Sequence, residues 1–250
     1  MNSMTRMSTQ PYGATLAHLV GARLASPENH VASTFATLFW SKPPEEDLAL
    51  RTLEDDVAAT IEYWRQFRTL DSGATSVVLS NPVHARGGWT SAHTCVRVHA
   101  PDMPFLVDSL LMVFAQAGLT VHFLNNVVFD TQRDATGTAT GCALERNGGV
   151  REVFILVETD RVSDDELVAL KTSIELTLQD VTASVRDFPA MRTRLKDWID
   201  ELTAIETSDS TKEAIAFLHW LGDNHFTFLG YREFHYAQDT IEQVADSALG

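Results

Sequence analysis

The protein is a chain of 250 residues with 34 acidic and 19 basic side chains, which gives a formal net charge of −15. Its hydrophobic fraction of 44% is ordinary for a globular protein and argues against an intrinsically disordered chain. The acidic balance argues against a nucleic-acid partner, because an acidic surface repels phosphate. We expect one large domain or two small ones.

Targeting and redox signals are sparse. Cys95 and Cys142 are too few for a disulfide framework or a cysteine-based zinc site, so we expect both to be reduced and buried. The most apolar stretch, 105–117, is shorter than the roughly 18–20 residues that span a bilayer, and it contains Asp108. Residues 1–10 lack a signal-peptide core and are predicted to be a disordered tail. The sequence therefore predicts a cytoplasmic protein with no membrane partner.

Residues 11–72 are predicted to form a helical N-terminal segment. Apolar residues recur there at helical spacing in three stretches, without a strand pattern between them. Ser26 is expected to cap the second helix with Pro27 at its first position, and Pro43-Pro44 ends that helix. The third helix presents one apolar face, made of Leu50, Leu53, Val57, Ile61 and Trp64.

Residues 73–188 alternate between strands and helices. The predicted strands are 75–79, 94–99, 120–130 and 153–157, with a polar turn at 133–141. One helix enters at Asp102-Met103-Pro104 and stops at Gly118, and the next opens with a capping box of Ser163 and Glu166. From the second strand onward the order is βαββα, most of a ferredoxin-like βαββαβ unit. The predicted fold class is therefore α+β, with a helical N-terminal cap and extra C-terminal helices.

The closing strand of this unit has three candidates, and the sequence does not choose among them. They are residues 184–188, a long aromatic strand at 226–236 with Gly230 as a bulge, and the 75–79 strand at a sheet edge.

The C-terminal quarter is predicted to begin with a helical connector, 189–224. One of its helices starts at Pro189, and the other opens with a capping box over Ser210–Glu213 and closes on Gly222. Residues 225–250 look like the unfinished start of a further β-containing domain. Such an ending is typical of a piece of a longer chain, and also of a frayed natural terminus.

No familiar catalytic motif occurs in the sequence. Gly-x-Gly-x-x-Gly, P-loop and Gly-x-Ser-x-Gly patterns are missing, so neither a nucleotide cradle nor a nucleophile elbow is predicted. His93 and His99 share a predicted strand but are roughly 20 Å apart, too far to hold one metal ion. His219 and His225 flank Gly222 and are expected to be exposed or helix-end histidines. We therefore predict no catalytic, cofactor-binding or metal-ligating residues here.

The strand-to-helix turn carries the candidate ligand or interface residues. They are Asp102, Met103, Pro104, Phe105, Asp108, Ser109 and Gly118. Asp102 is expected to be a helix N-cap, while the functional alternative is that the free N–H groups of this turn bind a small anion such as an amino-acid carboxylate. Asp108 and Ser109, one turn further on, are expected on a solvated or helix-packing face, with a ligand or subunit contact as the alternative.

Two surface patterns have ordinary interpretations. The acidic residues of the later helices are expected on solvated faces. The aromatic run comprises Phe226, Phe228, Tyr231, Phe234 and Tyr236. It suggests a stacking platform for bases, but the acidic charge argues against that partner. A core strand, or a strand docked on a neighbouring domain, is the favoured interpretation.

The stretch Asp102-Met-Pro-Phe-Leu-Val-Asp-Ser-Leu, followed by Gly118-Leu-Thr-Val-His, resembles an ACT domain. That family typically has Asp-x-Pro-Gly-Leu at the strand-to-helix turn and a glycine one helix later. The resemblance implies an ACT-type βαββαβ module over residues 73–188, of a kind that commonly binds amino acids and often assembles side by side. Phe105 stands where the family has glycine, close to where family ligands approach the backbone.

Longer blocks narrow the resemblance. Asp102–Ser109, Glu213–Leu221 and His225–Glu233 look like the N-terminal region of the large bacterial NAD-specific glutamate dehydrogenases. The resemblance covers about residues 45–236 and departs at Asn125-Asn126, where a proline-containing stretch is expected. It implies a non-catalytic piece of a long enzyme that deaminates glutamate to 2-oxoglutarate and ammonia with NAD at a downstream domain.

These observations lead to three hypotheses. The first is a regulatory sensor that binds a small amino-acid effector at the Asp102–Pro104 turn. The second, slightly favoured by Phe105 and the aromatic run, is an assembly module that contacts downstream domains of the same chain or forms a homo-oligomer. The third, a free-standing enzyme, has no acid, base or nucleophile to support it. No cofactor is expected in this stretch, and NAD would serve the longer parent.

Overall fold

The computed structural model describes residues 12–49, 51–71, 73–205, 208–237 and 240–250. The predicted tail at 1–10 and Leu50 therefore lie outside the described residues. Internal contacts divide the chain into two compact units. The first unit is Met1–Asp102 with Leu110–Glu175, and the second unit is Met103–Ser109 with Leu176–Gly250.

The N-terminal part is helical, as the apolar spacing predicted, but among the described residues it contains four helices where three were expected. They are α1 (Tyr12–Arg23), α2 (Glu28–Phe39), α3 (Glu45–Leu48) and α4 (Leu53–Arg68). Thr52 caps α4 by accepting the N–H of Asp55 on its hydroxyl. The predicted Ser26 cap is wrong, because α2 begins at Glu28 and Pro27 takes the position before it without a side-chain cap.

A five-stranded antiparallel sheet lies at the centre of the first unit. Its strands are β1 (Ser76–Ser80), β2 (Thr94–Pro101), β3 (Val121–Arg133), β4 (Ala139–Ala143) and β5 (Val150–Thr159), and their spatial order is β1-β2-β5-β3-β4. The short helix α5 (His84–Gly87) joins β1 to β2, and α6 (Leu106–Gln116) joins β2 to β3. Among the three candidates for the closing strand, β1 pairs with β2 at the sheet edge.

Strand β4 was missed by the sequence analysis. The predicted turn at 133–141 is shorter in the structure, where Asp134 and Gly137 form a tight turn and the chain pairs again with β3 from Ala139 onward. The segment Ala139–Ala143 is rich in small residues and shows no apolar alternation. It becomes a strand because its backbone N–H and C=O groups pair with those of β3. Local sequence patterns do not reveal such pairing.

An aromatic cluster holds the helices against one face of the sheet. The Phe35 ring of α2 lies 4.7 Å from Phe67 of α4, 5.5 Å from Phe129 of β3 and 5.7 Å from Phe154 of β5. All four rings are fully buried. The opposite face carries buried aliphatic residues, and α6 and the first turns of the next helix bring their own buried stripes to this unit.

The helix after β5 is longer than predicted. It runs without interruption from Asp164 to Ala204 as α7, so 184–188 is helical rather than a closing strand, and no separate helix starts at Pro189. The predicted capping box is confirmed: the Ser163 N–H donates to the Glu166 carboxylate at 2.7 Å, and the Glu166 N–H donates to the Ser163 hydroxyl at 3.3 Å.

The second predicted capping box is wrong. Helix α8 (Asp209–Trp220) begins before Ser210, and its cap is Ser208, which accepts the N–H of Thr211. The segment Leu221–His225 follows directly, and its backbone leaves helical geometry at Asp223 and Asn224, immediately after Gly222, where the helix was predicted to close.

The prediction of one long aromatic strand at 226–236 is also wrong. A hairpin of β6 (Phe234–Ala237) and β7 (Thr240–Gln243) forms instead, and Tyr231 makes an isolated bridge with Leu249. Gly230 therefore does not bulge a strand. Phe226 and Phe234 are 56% and 55% exposed, so they do not belong to a core strand. Across the described residues, each helix is too short or too polar to traverse a bilayer.

Candidate docking site

The predicted N-cap role of Asp102 is wrong. Helix α6 begins at Leu106, four residues later, and the Ser109 N–H donates to the carbonyl of Phe105 in its first turn. Asp102 is the last residue of the first unit before this turn. Its N–H donates to the Arg151 carbonyl, and its carboxylate lies 4.0 Å from the Arg151 guanidinium.

Phe105 enters the helix with a left-handed backbone, at φ +72°. This region favours glycine, and a bulky side chain there costs about 1–2 kcal/mol. The Phe105 side chain is 49% exposed, so about half of its apolar surface remains in water. Phe105 thus combines a strained backbone with an aromatic ring that is half exposed to solvent.

A cavity of about 280 Å³ opens beside this ring, entirely within the second unit. Its walls come from Pro104 and Phe105, from Ser184, Val185 and Phe188 of α7, and from Asn224 and Phe226–Leu229. We call it the Phe105 pocket. Two contacts join the α7 wall to the opposite wall of the pocket. The Ser184 hydroxyl donates to the Leu229 carbonyl at 2.8 Å, and the ring centroids of Phe188 and Phe228 are 6.5 Å apart.

The chemistry of the Phe105 pocket is apolar. All ten described lining residues are uncharged, and the exposed rings of Phe105 and Phe226 lie at its wall with Leu229, which is 65% exposed. A zwitterionic amino acid would find neither a cation for its carboxylate nor a carboxylate for its ammonium group. The pocket instead suits an apolar side chain, whose desolvation is favourable.

The structure brings together some of the predicted site residues. Pro104 and Phe105 line the pocket, and Met103 lies in the same unit with its sulfur 3.8 Å from the Thr182 hydroxyl. Asp108 is exposed and Ser109 is half-buried.

Gly118 belongs with Asp102 in the first unit. It has φ +69° and lies two residues past the last residue of α6, Gln116, so it terminates the helix as predicted.

Sequence reasoning missed the α7 and 224–229 walls. It treated 184–188 as a candidate strand and the Phe226–Tyr236 aromatics as a core strand. The signal available in the sequence was the density of aromatic residues directly after Gly222-Asp223-Asn224, a turn-prone stretch.

The rest of the second unit also exposes large apolar groups. Helix α8 has no buried residue among those described, and all four residues of β6 and of β7 are exposed. The rings of Phe217, Trp220 and His225 form a stack, with centroid distances of 5.9 and 4.9 Å. Exposed groups of this size and number are typical of a surface that another polypeptide covers.

A comparison with known families matches a range that covers most of the first unit. Residues 35–174 match the family described as "Glutamate dehydrogenase, ACT1 domain". This chain belongs to that family. The chain is also 36% identical over 242 residues to the NAD-specific glutamate dehydrogenase of Halomonas elongata, a match that covers 92% of this chain and 15% of that protein.

A second relative is the NAD-specific glutamate dehydrogenase of Pseudomonas aeruginosa. It is 34% identical over 212 residues, which cover 82% of this ACT1 chain and 13% of that protein. The ACT1 chain thus spans a small fraction of the length of these relatives. Within it, the family match ends at residue 174, one residue before the first unit ends at Glu175.

The ACT1 chain also contains a polar cavity of about 320 Å³, in its first unit near the start of α4. The Arg51 guanidinium donates to Asp56 at 2.8 Å and to Glu158 at 2.9 Å, and it lies over the rings of Trp40 and Phe123. Burial lowers the pKa of Arg51, but the two carboxylates outweigh this and raise it, so the ion pairs persist. These groups satisfy one another, and we interpret them as an anchor between α4 and the sheet.

Three histidines of the first unit contact other side chains. His93 stacks on His122 at 4.3 Å, while His99 is buried with Nε2 3.2 Å from Glu152. Hydrogen bonds from the Thr120 N–H and from His122 lower the pKa of the exposed Asp160. Among the residues that the structure describes, no three His, Cys, Asp or Glu side chains are placed to hold a metal ion.

The two cysteines are free and buried, as the sequence predicted. Burial raises the pKa of each thiol, Cys95 and Cys142, to about 12. Both are therefore protonated near neutral pH, and neither is an activated nucleophile.

Proposed function

We propose that this ACT1 chain is the non-catalytic N-terminal region of a long NAD-specific glutamate dehydrogenase, in which it works as an assembly module. The parent would oxidise glutamate to 2-oxoglutarate and ammonia, with NAD bound elsewhere in its length. The observation that carries the assembly role is the exposed apolar surface of the second unit. The relatives support the parent activity through their names and through the small share of their length that this chain covers.

The physical argument concerns the free energy of exposed apolar groups. Phe217, Phe226 and Leu229 are each more than half exposed, and each would gain from transfer out of water. Aromatic residues are enriched at the centres of protein interfaces, where this gain is realised. We therefore assign the second unit to contacts with other parts of the long polypeptide or with other subunits of a homo-oligomer.

An amino-acid effector at the Asp102–Pro104 turn is the alternative role of an ACT-type module. The local geometry gives it less support than the assembly role. The Asp102 N–H is already used by the Arg151 carbonyl, Phe105 replaces the family glycine, and the adjacent pocket is uncharged. We retain the effector as an outcome of the experiment below.

The test uses the full reading frame that contains this chain. We expect the full-length cytoplasmic protein to form NADH from NAD when glutamate is added, and the 250-residue chain to form none. Deletion of residues 1–250 should change the subunit assembly measured by light scattering. Unchanged mass and activity after the deletion would contradict an assembly role. A rise in the melting temperature of the 250-residue chain with one of the twenty amino acids would favour the effector role instead.

A further inference from the structure

The segment that leads from β4 to β5 contains an Asn-Gly pair, Asn147-Gly148, and both residues are exposed. Asn147 is the only asparagine of the sequence that a glycine follows. A Cβ added at Gly148 would meet nothing within 4 Å, so the peptide unit between the two residues has room to rotate. Glycine also places the fewest steric restrictions on such a rotation.

The hydrogen bonds of this segment leave the side chain of Asn147 and the amide of Gly148 free. Gln132 donates to the backbone carbonyl of Asn147 at 3.3 Å, and the Gly149 N–H donates to the Asp130 carboxylate at 2.8 Å. Within the described part of the chain, neither the side-chain amide of Asn147 nor the Gly148 N–H takes part in a hydrogen bond. A nitrogen nucleophile and the carbon it can attack are therefore adjacent and exposed.

We propose that Asn147 is a site of spontaneous covalent modification, at which its side-chain amide is converted to a carboxylate through a cyclic imide. In the first step, the Gly148 nitrogen gives its proton to a base in the solvent and bonds to Cγ of Asn147. The Cγ–Nδ2 bond then breaks, and Nδ2 takes up a proton and leaves as ammonia. Water is the only other reactant, and the reaction is independent of the proposed assembly role.

Hydrolysis of the imide has two outcomes. Addition of water at Cγ breaks its bond to the Gly148 nitrogen and leaves an ordinary aspartate at position 147. Addition at the backbone carbonyl carbon breaks the original peptide bond instead and leaves isoaspartate, in which the main chain runs through Cγ. Each product carries a new negative charge, and isoaspartate also lengthens the main chain by one carbon.

The isoaspartate form should weaken the attachment of this segment to β3. The extra carbon falls between the two hydrogen bonds that hold the segment, at the Asn147 carbonyl and at the Gly149 N–H. Gly149 has little room to shift, since even a Cβ there would lie 2.5 Å from the Thr131 backbone oxygen. Ordinary aspartate leaves the main chain unchanged, so we expect only isoaspartate to lower stability.

Two other asparagines provide internal controls. Pro82 follows Asn81 and has no N–H to act as a nucleophile. Asn224 is exposed, as Asn147 is, but His225 follows it, and a residue with a Cβ restricts the approach of the backbone nitrogen. Asn224 is therefore the matched control for exposure without glycine.

Peptide mapping by mass spectrometry tests the site. The intact folded protein is incubated in mildly alkaline buffer, and the conversion of each asparagine is followed with time. We expect Asn147 to be converted at least about tenfold faster than Asn224, because a Cβ on the following residue raises the barrier to closure of the imide. Both aspartate and isoaspartate should form at position 147. Conversion no faster than at Asn224, conversion to aspartate alone, or conversion that occurs only in urea would overturn the proposal.

Two variants separate the reaction from its consequence. Asn147→Gln would have to close a larger ring, so conversion at position 147 should cease, and an unchanged rate would contradict the imide route. Asn147→Asp carries the new charge on an unchanged main chain and should melt within about 1 °C of wild type. The isoaspartate form, purified from aged protein, should melt about 2–4 °C lower, as expected for the loss of a hydrogen bond in a protein of this size. Equal melting temperatures for the isoaspartate form and Asn147→Asp would contradict the weakened attachment to β3.

Discussion

Arg133 and Glu152 form a two-pronged ion pair in the first unit, with Nε to Oε1 and Nη2 to Oε2 both at 2.7 Å. Arg133 also donates to the carbonyls of Phe67 at the end of α4 and of Gly137 in the β3–β4 turn. On the other side, His99 of β2 lies 3.2 Å from the same carboxylate. The buried Glu152 carboxylate of β5 thus links β2 and β3, and through Arg133 it also connects to the end of α4.

Glu152→Gln should destabilise the first unit strongly at neutral pH. Burial raises the pKa of Glu152, but the hydrogen bonds from Arg133 and His99 outweigh burial and lower the pKa to about 2. The folded-state pKa is below the unfolded value, so the stabilisation is present above about pH 4.5 and is lost as the pH falls towards 2. We expect a loss of about 3 kcal/mol in the free energy of unfolding at pH 7.

Urea titrations at pH 7 and pH 3 measure this effect. The difference in the free energy of unfolding between wild type and Glu152→Gln should shrink at pH 3, because the stabilisation from the ionised Glu152 decreases as the pH falls from 4.5 towards 2. Glu145→Gln is the matched control, since Glu145 is exposed. A loss of the same size in the control, or a pH-independent loss in Glu152→Gln, would refute the assignment.

Gly149→Ala should destabilise the protein more than Gly148→Ala, although the two glycines are adjacent. A Cβ at Gly149 would lie 2.5 Å from the backbone oxygen of Thr131, which belongs to β3 and cannot move freely. A Cβ at Gly148 meets open space, and its cost is the left-handed backbone at φ +79°. We expect losses of about 2 and about 1 kcal/mol. Thermal unfolding measures both losses. A larger loss for Gly148→Ala than for Gly149→Ala would show that the backbone of β3 shifts to accommodate the new Cβ.

Ser208→Ala should loosen the start of α8, whereas Ser210→Ala should not. Ser208 accepts the Thr211 N–H at 3.2 Å, while Ser210 lies inside the helix. Loss of a serine cap costs about 1 kcal/mol, which corresponds to roughly fivefold faster exchange of the Thr211 amide. Hydrogen exchange by NMR provides the measurement. If the Thr211 amide exchanged faster in Ser210→Ala but not in Ser208→Ala, the capping box predicted at Ser210–Glu213 would be supported instead.

Cys95 and Cys142 should resist alkylation in the folded protein. Burial raises the pKa of each thiol to about 12, against about 8.5 for a free cysteine, so thiolate is scarce at pH 8. We expect iodoacetamide to label both at least about 100-fold more slowly than in urea, as measured by intact mass. Labelling of either thiol at the rate of the unfolded chain would contradict its burial.

Phe35→Ala should unfold the helices and the sheet of the first unit together. Phe35 is fully buried, and its ring contacts rings from α4, β3 and β5. Truncation of such a ring costs about 3–5 kcal/mol. Phe234→Ala, at a position that is 55% exposed, is the matched control and should change stability little. Circular dichroism and tryptophan fluorescence should report one transition for Phe35→Ala, and separate transitions would show that the helices fold independently.

The amino-acid sequence by itself determined the features that depend on local patterns. Apolar spacing located the N-terminal helices, alternation located β2, and a short apolar run located β5. Ser163 and Glu166 marked the start of α7, because a capping box needs only residues three apart. The α+β class and the family resemblance followed from such segments, and the match over 35–174 agrees with them.

Tertiary structure decided what depends on distant partners. The choice of β1 as the strand beside β2, and the existence of β4, depend on backbone pairing between segments far apart in the chain. The same is true of the Phe105 pocket, which combines residues near 105, 185 and 226. The sequence marked Phe105 as a departure from a glycine motif. Its left-handed backbone and half-exposed ring became visible only in the structure, because strain and exposure are properties of a folded chain.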